Sequence, residues 1–227
     1  MNSKEIAHKK HKKIMEGKMK WIILWSFVCA TVLVAQVDTY FKNGIVYEKA
    51  TGKKLNGLRK TYYESGDLQS AENYKDGKLN GVTKMYYKSG ELKFESNFKD
   101  GNPNGVGKAY YESGFLNGES NYKDGKQNGL QKQYYESGAL EIEVNFKDGN
   151  PNGVGKGYYE SGTLSGEWNY KDGKLNGVVK EYSESGALKI EINLKNGKAL
   201  SGVYYHKNGK IDRKMTNEDF SNLGYEH

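Results

Sequence analysis

Glycine recurs every 24 residues through most of this chain of 227 residues, in three separate registers. The registers are the Gly of an Asn-Gly pair, the Gly of a Ser-Gly pair, and the Gly of an Asp-Gly or Asn-Gly pair. They comprise Gly57, Gly81, Gly105, Gly129, Gly153 and Gly177; Gly66, Gly90, Gly114, Gly138, Gly162 and Gly186; and Gly77, Gly101, Gly125, Gly149, Gly173 and Gly197. Three glycines per copy would break any helix. The period therefore predicts six copies of a short, turn-rich unit over about residues 57–200.

Each copy contains two segments of six to eight residues that are rich in Tyr, Phe and Val, such as 82–87 and 92–98. Gly-containing turns separate them, which is the pattern of a β-hairpin. Alternation places Leu92, Phe94 and Phe98 on one face and Glu95 on the other. We predict an all-β fold: an elongated, single-layer antiparallel β-meander or solenoid of about six 24-residue hairpin repeats, with one apolar and one wet face.

Charged residues recur on neighbouring predicted strands. Lysine occupies one position of every first strand, and glutamate one position of most second strands. These residues are Lys60, Lys84, Lys108, Lys132, Lys156 and Lys180, with Glu95, Glu119, Glu143, Glu167 and Glu191. Opposite charges facing each other across strands stabilise a sheet, so we expect them to pair.

A second period of 48 residues overlies the first. The sequence Asn-Pro-Asn-Gly-Val-Gly appears at 102–107 and again at 150–155, while Gly118 and Gly166 replace bulky residues in alternate copies. One interpretation is that the alternation tunes the curvature of the sheet, since glycine permits bends and close approach. The other is a recent tandem duplication with no mechanical meaning.

The N-terminal 37 residues differ in composition from the repeats. Residues 1–36 hold seven Lys against Glu5 and Glu16, whereas the rest holds 28 Lys and Arg against 26 Asp and Glu. The net charge of +7 thus belongs mainly to the leader, which argues against nucleic-acid binding by the repeats. We divide the chain into a basic leader (1–20), a signal peptide or signal anchor (21–37), the array (38–210) and a polar C-terminal tail (211–227).

Residues 21–37 are uncharged and mostly apolar, and we expect them to form a hydrophobic helix. Their length suits either a cleaved signal peptide or a short membrane anchor. In both cases the lysine-rich side stays in the cytoplasm and the array is exported, to the periplasm, the cell surface or the medium. If uncleaved, residues 21–37 would tether the chain to the inner membrane. Cys29 is the single cysteine, which excludes an intramolecular disulfide.

The repeats offer no candidate catalytic residue, metal ligand or cofactor site. Their carboxylates recur at surface positions, histidine is absent from the array before His206, and no nucleophile elbow or phosphate loop appears. The aspartates of the Asp-Gly pairs are typical turn residues. We therefore expect a monomeric protein that is not an enzyme and binds neither cofactor nor metal.

The residue pattern resembles the bacterial family of MORN-repeat variants. The matching residues are Tyr86-Tyr87-Lys88-Ser89-Gly90-Glu91-Leu92, then Asn97-Phe98-Lys99-Asp100-Gly101 and Asn104-Gly105, with equivalents in every copy. The resemblance covers about residues 40–210. It implies stacked hairpins in a single-layer sheet, and some such proteins are described as antitoxin-like.

A repeated surface without catalytic groups favours a protein-interaction scaffold that binds an unknown protein partner. The family resemblance implies, more narrowly, an antitoxin-like role. The alternative is a module that binds cell-wall or surface glycans. The Tyr-Tyr pairs put one ring on each face of the sheet. The rings either hold neighbouring strands together or stay accessible to a partner. In the second case the candidate interaction surface consists of Tyr63, Tyr87, Tyr111, Tyr135, Tyr159 and Trp168.

Overall fold

A computed structural model of the chain describes residues 39–226. They form two compact units, the N-terminal unit (39–164) and the C-terminal unit (165–226). The predicted basic leader and hydrophobic helix, residues 1–20 and 21–37, lie outside the described residues. Within residues 39–226, no helix has the length and apolar character needed to cross a bilayer.

The N-terminal unit is a run of antiparallel hairpins. Its strands are β1 (Thr39–Lys42), β2 (Ile45–Glu48), β3 (Gly57–Tyr62), β4 (Leu68–Lys75), β5 (Lys78–Tyr86), β6 (Leu92–Lys99), β7 (Asn102–Tyr110), β8 (Leu116–Lys123), β9 (Lys126–Gln127), β10 (Gly129–Tyr134), β11 (Leu140–Lys147) and β12 (Asn150–Tyr158). Strands β3 to β12 follow one another in chain order, with the short β9 paired to β8. Strands β1 and β2 form a separate hairpin. This order confirms the predicted all-β antiparallel meander.

The C-terminal unit continues the same pattern and ends in a helix. Its elements are β13 (Leu164–Lys171), β14 (Lys174–Leu175), β15 (Gly177–Tyr182), β16 (Leu188–Lys195), β17 (Lys198–Tyr205), β18 (Ile211–Lys214) and α1 (Asn217–Leu223). The segment predicted to be a polar tail therefore contains β18 and α1. Thr216 and Asp219 form a reciprocal capping box at the start of α1, and Phe220 is buried at 5% exposure.

Both glycine-dependent turns predicted from the sequence are confirmed. In the Asp-Gly turn, Asp76 and Gly77 both have positive φ, 51° and 76°, which is the geometry of a two-residue hairpin turn matched to strand twist. In the Ser-Gly turn, the N–H of Gly66 donates to the carbonyl oxygen of Tyr63, and the Tyr63 N–H donates to that of Asp67. The two turns alternate along the chain and fix the register of the hairpins.

The predicted apolar face is the buried face of the sheet. Phe98 is 8% exposed, Val144 is 2% exposed and Ile192 is 1% exposed. Asn97 and Asn145, one residue away on their strands, are exposed. We call the buried face the inner face and the opposite, exposed face the outer face.

The glycines of the 48-residue period make room for aromatic rings on the inner face. A Cβ added at Gly107 would lie 3.2 Å from Cε2 of Tyr122, and one at Gly166 would lie 3.2 Å from Cζ3 of Trp168. Neither glycine has positive φ, so backbone freedom does not account for them. The alternation therefore has a steric basis in side-chain packing.

Candidate interaction surface

The second tyrosine of each Tyr-Tyr pair is hydrogen-bonded to the following copy. In the N-terminal unit its phenol hydroxyl donates to the backbone carbonyl oxygen of the first tyrosine in the next pair, over 2.6–2.8 Å. The donor–acceptor pairs are Tyr63–Tyr86, Tyr87–Tyr110, Tyr111–Tyr134 and Tyr135–Tyr158. We call this row the tyrosine spine. It links each hairpin to the next at the same position.

In the third, fourth and fifth copies, the first tyrosine of the pair donates to a glutamate of the preceding copy. Within the N-terminal unit, the Tyr110 hydroxyl lies 3.0 Å from Oε1 of Glu95, and the Tyr158 hydroxyl lies 2.9 Å from Oε1 of Glu143. Both tyrosines of a pair therefore make contacts that join copies. This geometry favours the interpretation of the pairs as ladders that hold the sheet together.

Burial raises the pKa of these phenols. Desolvation raises the pKa of Tyr135 to about 12, and nearby glutamates add to the effect. Desolvation, followed by the hydrogen bond to Glu95, raises the pKa of Tyr110 to about 12. A protonated phenol is the form that donates a hydrogen bond, so the shifts and the contacts agree.

The six residues predicted to form an interaction surface fall into two groups. Tyr63, Tyr87, Tyr111 and Tyr135 are the half-buried donors of the spine, and Tyr159 is half-buried at the equivalent position. Trp168 belongs to the core of the C-terminal unit, with 8% exposure and no hydrogen-bond partner for Nε1 among the described residues. A binding role for these six residues remains a prediction.

The outer face carries a row of alternating charges. In the N-terminal unit, Lys108 lies between Glu95 and Glu119 on the two adjacent strands. Nζ of Lys84 is 3.8 Å from a carboxylate oxygen of Glu95, which confirms the predicted pairing. In the first copy the row is interrupted, because Lys60 faces Ala71.

A row of exposed aliphatic side chains runs beside these charges. The residue after the Asn-Gly pair that begins each of the six copies is Leu or Val, lies two positions before the repeated lysine, and shares its face. In the N-terminal unit the exposed members are Leu58 (58%), Val82 (40%), Val106 (44%) and Val154 (47%). We call this row the aliphatic stripe. Amide side chains lie between its members: Asn73 and Asn97 flank Val82, and Nδ2 of Asn73 donates to the Val82 carbonyl oxygen at 2.7 Å.

The inner face of the first copy is polar. Nη1 of Arg59 donates to Oε2 of Glu72 at 2.9 Å, and the two side chains are 5% and 3% exposed. Glu72 also accepts from the Ser70 hydroxyl at 3.0 Å and the Tyr74 hydroxyl at 2.9 Å. Burial first, and then the charge of Glu72, raise the pKa of Tyr74 well above its ordinary value.

Titratable side chains do not converge on a metal-binding geometry in the described part of the chain. Among residues 39–226, no cluster of three or more His, Cys, Asp or Glu side chains is close enough to hold a metal ion.

The repeat pattern matches a known sequence family. The MORN repeat variant matches six successive segments, which together make up more than half of the chain: 55–76, 79–100, 103–124, 127–148, 151–172 and 175–196. The chain belongs to the MORN repeat variant family. The six predicted copies are thereby confirmed. No curated protein matches this MORN-variant chain in sequence.

Several solved structures share local similarity with this MORN-variant chain. A mutant of S. aureus TarM, in complex with fondaparinux, α-GlcNAc-glycerol and UDP, is 8% identical, with 54% of this chain and 21% of that chain covered and a TM-score of 0.30. A complex of accessory secretory proteins 1, 2 and 3 of Streptococcus pneumoniae is 13% identical, with coverages of 58% and 24% and a TM-score of 0.28. This chain thus spans about a quarter or less of either protein. At these scores the likeness carries no inference about function.

Sequence reasoning missed the aliphatic stripe and the Arg59–Glu72 pair. The stripe had a visible signal, because Leu or Val follows the Asn-Gly pair that begins each of the six copies, on the same face as the repeated lysine. Arg59 and Glu72 had none, because the repeat pattern predicts apolar or small residues at inner-face positions.

Proposed function

We propose that this MORN-variant chain is an exported, non-catalytic scaffold whose outer face binds a protein partner along the aliphatic stripe. The observation that carries the proposal is the exposure of Leu58, Val82, Val106 and Val154 at the same position of the first, second, third and fifth copies, with Leu130 of the fourth copy half-buried. These side chains form an apolar row interrupted by amides, and exposed apolar surface rimmed by polar groups is typical of interaction sites.

The neighbouring charges support the same surface. An apolar centre flanked by charged groups is the usual anatomy of a protein interface, with burial of the centre providing affinity and the rim providing specificity. The tyrosine spine is less suited to this role, because its hydroxyls are already bonded within the array. The stripe therefore replaces the tyrosines as our candidate binding surface.

The test is a comparison of two triple variants of the full-length chain. The stripe variant carries Val82→Lys, Val106→Lys and Val154→Lys. The control carries Ser65→Lys, Ser89→Lys and Ser137→Lys, which add the same charge at exposed turn positions. We expect the natural chain and the control to capture the same proteins from envelope extract, and the stripe variant to lose them. Calorimetry with the purified partner should show the same difference in binding.

Two results would overturn this proposal. One is a purified partner that binds the stripe variant as well as the natural chain. The other is retention of all three chains by purified peptidoglycan or surface glycan with no protein captured, which would favour the carbohydrate-binding alternative.

Export and an antitoxin-like role are narrower parts of the proposal. Export is supported by the apolar residues 21–37 behind a lysine-rich leader. A C-terminal alkaline phosphatase fusion tests it, since that enzyme is active only outside the cytoplasm, and intact-mass measurement shows whether the leader is cleaved. The antitoxin-like role is supported by the family resemblance alone. It requires that the captured partner arrest growth when expressed by itself and that this chain restore growth.

A further inference from the structure

Arg59 has one side of its guanidinium group without a partner. Nη1 is used by Glu72, whereas Nε and Nη2 are buried and make no hydrogen bond within the described residues. Nε and Nη2 form one edge of the guanidinium plane, and their N–H bonds run parallel. That edge is the arrangement that binds both oxygens of a carboxylate. A buried cation with two unused donors is costly, so it indicates a missing acceptor.

The strand that carries Arg59 has an open side. Strand β3 is the last strand of its sheet, and within residues 39–226 its residues 57–62 pair only with β4. The open stretch begins after Leu55, because β2 lies beside the residues just before β3: Tyr47 bridges Lys54, and the Leu55 N–H donates to the Val46 carbonyl oxygen at 2.9 Å. Leu58 and Tyr62 on this strand are 58% and 50% exposed. An unpaired strand edge presents free backbone N–H and C=O groups that can accept an additional strand.

The strand register of the array indicates which residue such an added strand would place across from Arg59. Glu72 of β4 faces Arg59 of β3 on one side and Thr83 of β5 on the other. Interior first strands such as β5 and β7 thus have a second strand on both sides, whereas within residues 39–226 no second strand lies beside residues 57–62 on the far side of β3. A strand that adds to β3 in the register that β4 uses toward β5 places its residue equivalent to Glu72 directly across from Arg59.

On the outer face, Lys60 has no acidic residue across from it on its paired strand. In the array, Lys108 is flanked by a glutamate on each side, but Lys60 faces Ala71 on its paired side. The open edge therefore presents a buried arginine and an exposed lysine at adjacent positions, one for each face of an incoming strand.

We infer that the free edge of β3 is a docking site for an extended segment of a partner protein that carries a carboxylate side chain, which Arg59 binds through Nε and Nη2. The segment adds to the sheet as a strand, its backbone pairs with β3, and its acidic residue supplies the missing acceptor. This site goes beyond the proposed function, because it lies on the strand edge and does not depend on the aliphatic stripe.

The probe is a peptide copied from the array itself. An acetylated and amidated peptide with the sequence of residues 68–72, Leu-Gln-Ser-Ala-Glu, places its glutamate across from Arg59 in the β4 register. It ends before the positions beside Leu55 and Lys54, which β2 occupies. Its control has glutamine in place of the glutamate. Binding of both peptides to the full-length chain is measured by fluorescence anisotropy, and hydrogen exchange locates the protected amides.

A matched variant separates the site from folding effects. Arg59→Thr with Glu72→Ser installs the residues that the next copy already holds in the same register, Thr83 and Ser96, so this double variant is expected to fold. We expect the glutamate peptide to protect residues 57–62 of the natural chain and to bind about ten-fold more tightly than the glutamine peptide. The double variant should bind both peptides equally.

Three results would overturn the inference. The first is no protection of 57–62 by the glutamate peptide at any accessible concentration. The second is an unchanged preference for glutamate in the double variant. The third is protection of 57–62 that rises with protein concentration in the absence of peptide, which would assign the edge to a second copy of this chain.

Discussion

The hydroxyl of Tyr111 donates to the carbonyl oxygen of Tyr134 at 2.8 Å, one of the bonds of the tyrosine spine. Replacing Tyr111 by Phe removes the donor, keeps the ring, and leaves a half-buried carbonyl without this partner. We expect the free energy of unfolding to fall by about 0.5–1.5 kcal/mol. Urea unfolding midpoints measure the change. The matched control is Tyr62→Phe, because that ring is 50% exposed and its loss of a hydroxyl should leave the midpoint unchanged. Equal effects of the two substitutions would contradict a structural role for the spine.

The same tyrosines make stability depend on alkaline pH. Folding raises the pKa of Tyr110 and Tyr135 from the ordinary 10 to about 12. The folded chain therefore holds these protons more tightly than the unfolded chain does, and the resulting stabilisation is complete below pH 10. It is lost as the pH rises from 10 through 12. We expect urea midpoints to fall across this window and to fall less in a Tyr110→Phe, Tyr135→Phe variant. Identical pH profiles for the two chains would contradict the assignment.

At the scale of the element, the hairpin turn can be tested with a substitution that the chain itself supplies. Asp100 and Gly101 have φ of 51° and 88°, while Asn196 occupies the position equivalent to Asp100 with φ of 54°. Asp100→Asn should thus be neutral. Gly101→Ala should destabilise by about 1–2 kcal/mol, because a side chain at positive φ is strained. An added Cβ at Gly101 would meet only Cβ of Lys78, at 3.8 Å, so the cost isolates backbone strain from crowding. Thermal unfolding of both variants measures it, and a neutral Gly101→Ala would show that the turn tolerates another geometry.

These elements also show what the sequence could and could not predict. The turns, the hairpin order and the Lys84–Glu95 pair were predictable because each depends on local residue types repeated at a fixed spacing. The Arg59–Glu72 pair was not predictable, because the repeat pattern predicts apolar residues on the inner face. Whether a side chain on that face is buried depends on the packing around it, which spacing does not show. The stacking of Tyr122 over Gly107 is likewise a contact between two strands. Spacing alone showed the 48-residue alternation without its steric cause.

At the scale of the whole molecule, the inner face changes in character along the array. One pair of inner-face positions, across from each other on paired strands, is occupied by Arg59 and Glu72 in the first copy. The same pair is Thr83 and Ser96 in the second copy and Val179 and Ile192 in the sixth. Repeat arrays are stable approximately as a sum of copy and neighbour terms. Apolar burial contributes about 25 cal/mol per Å², whereas an unpaired buried hydroxyl is unfavourable. Stability should therefore differ between copies, with the sixth the most stable of the three.

Hydrogen exchange resolves this gradient copy by copy. We expect the slowest amides in β16, where Ile190, Ile192 and Leu194 are 7%, 1% and 2% exposed, and faster exchange in β5 and β6. Among residues 39–226 the buried hydroxyl of Thr83 has no hydrogen-bond partner, so Thr83→Val removes an unfavourable group and should stabilise the second copy by about 1 kcal/mol. Thr61→Val is the matched control, because the Thr61 hydroxyl is bonded to that of Ser70 at 2.7 Å and its loss should destabilise. Slower exchange in β5 and β6 for Thr83→Val, with faster exchange in β3 and β4 for Thr61→Val, would tie local stability to the inner-face chemistry of each copy. Changes of the same sign in both variants would instead mean that stability is set elsewhere, by the turns or the tyrosine spine.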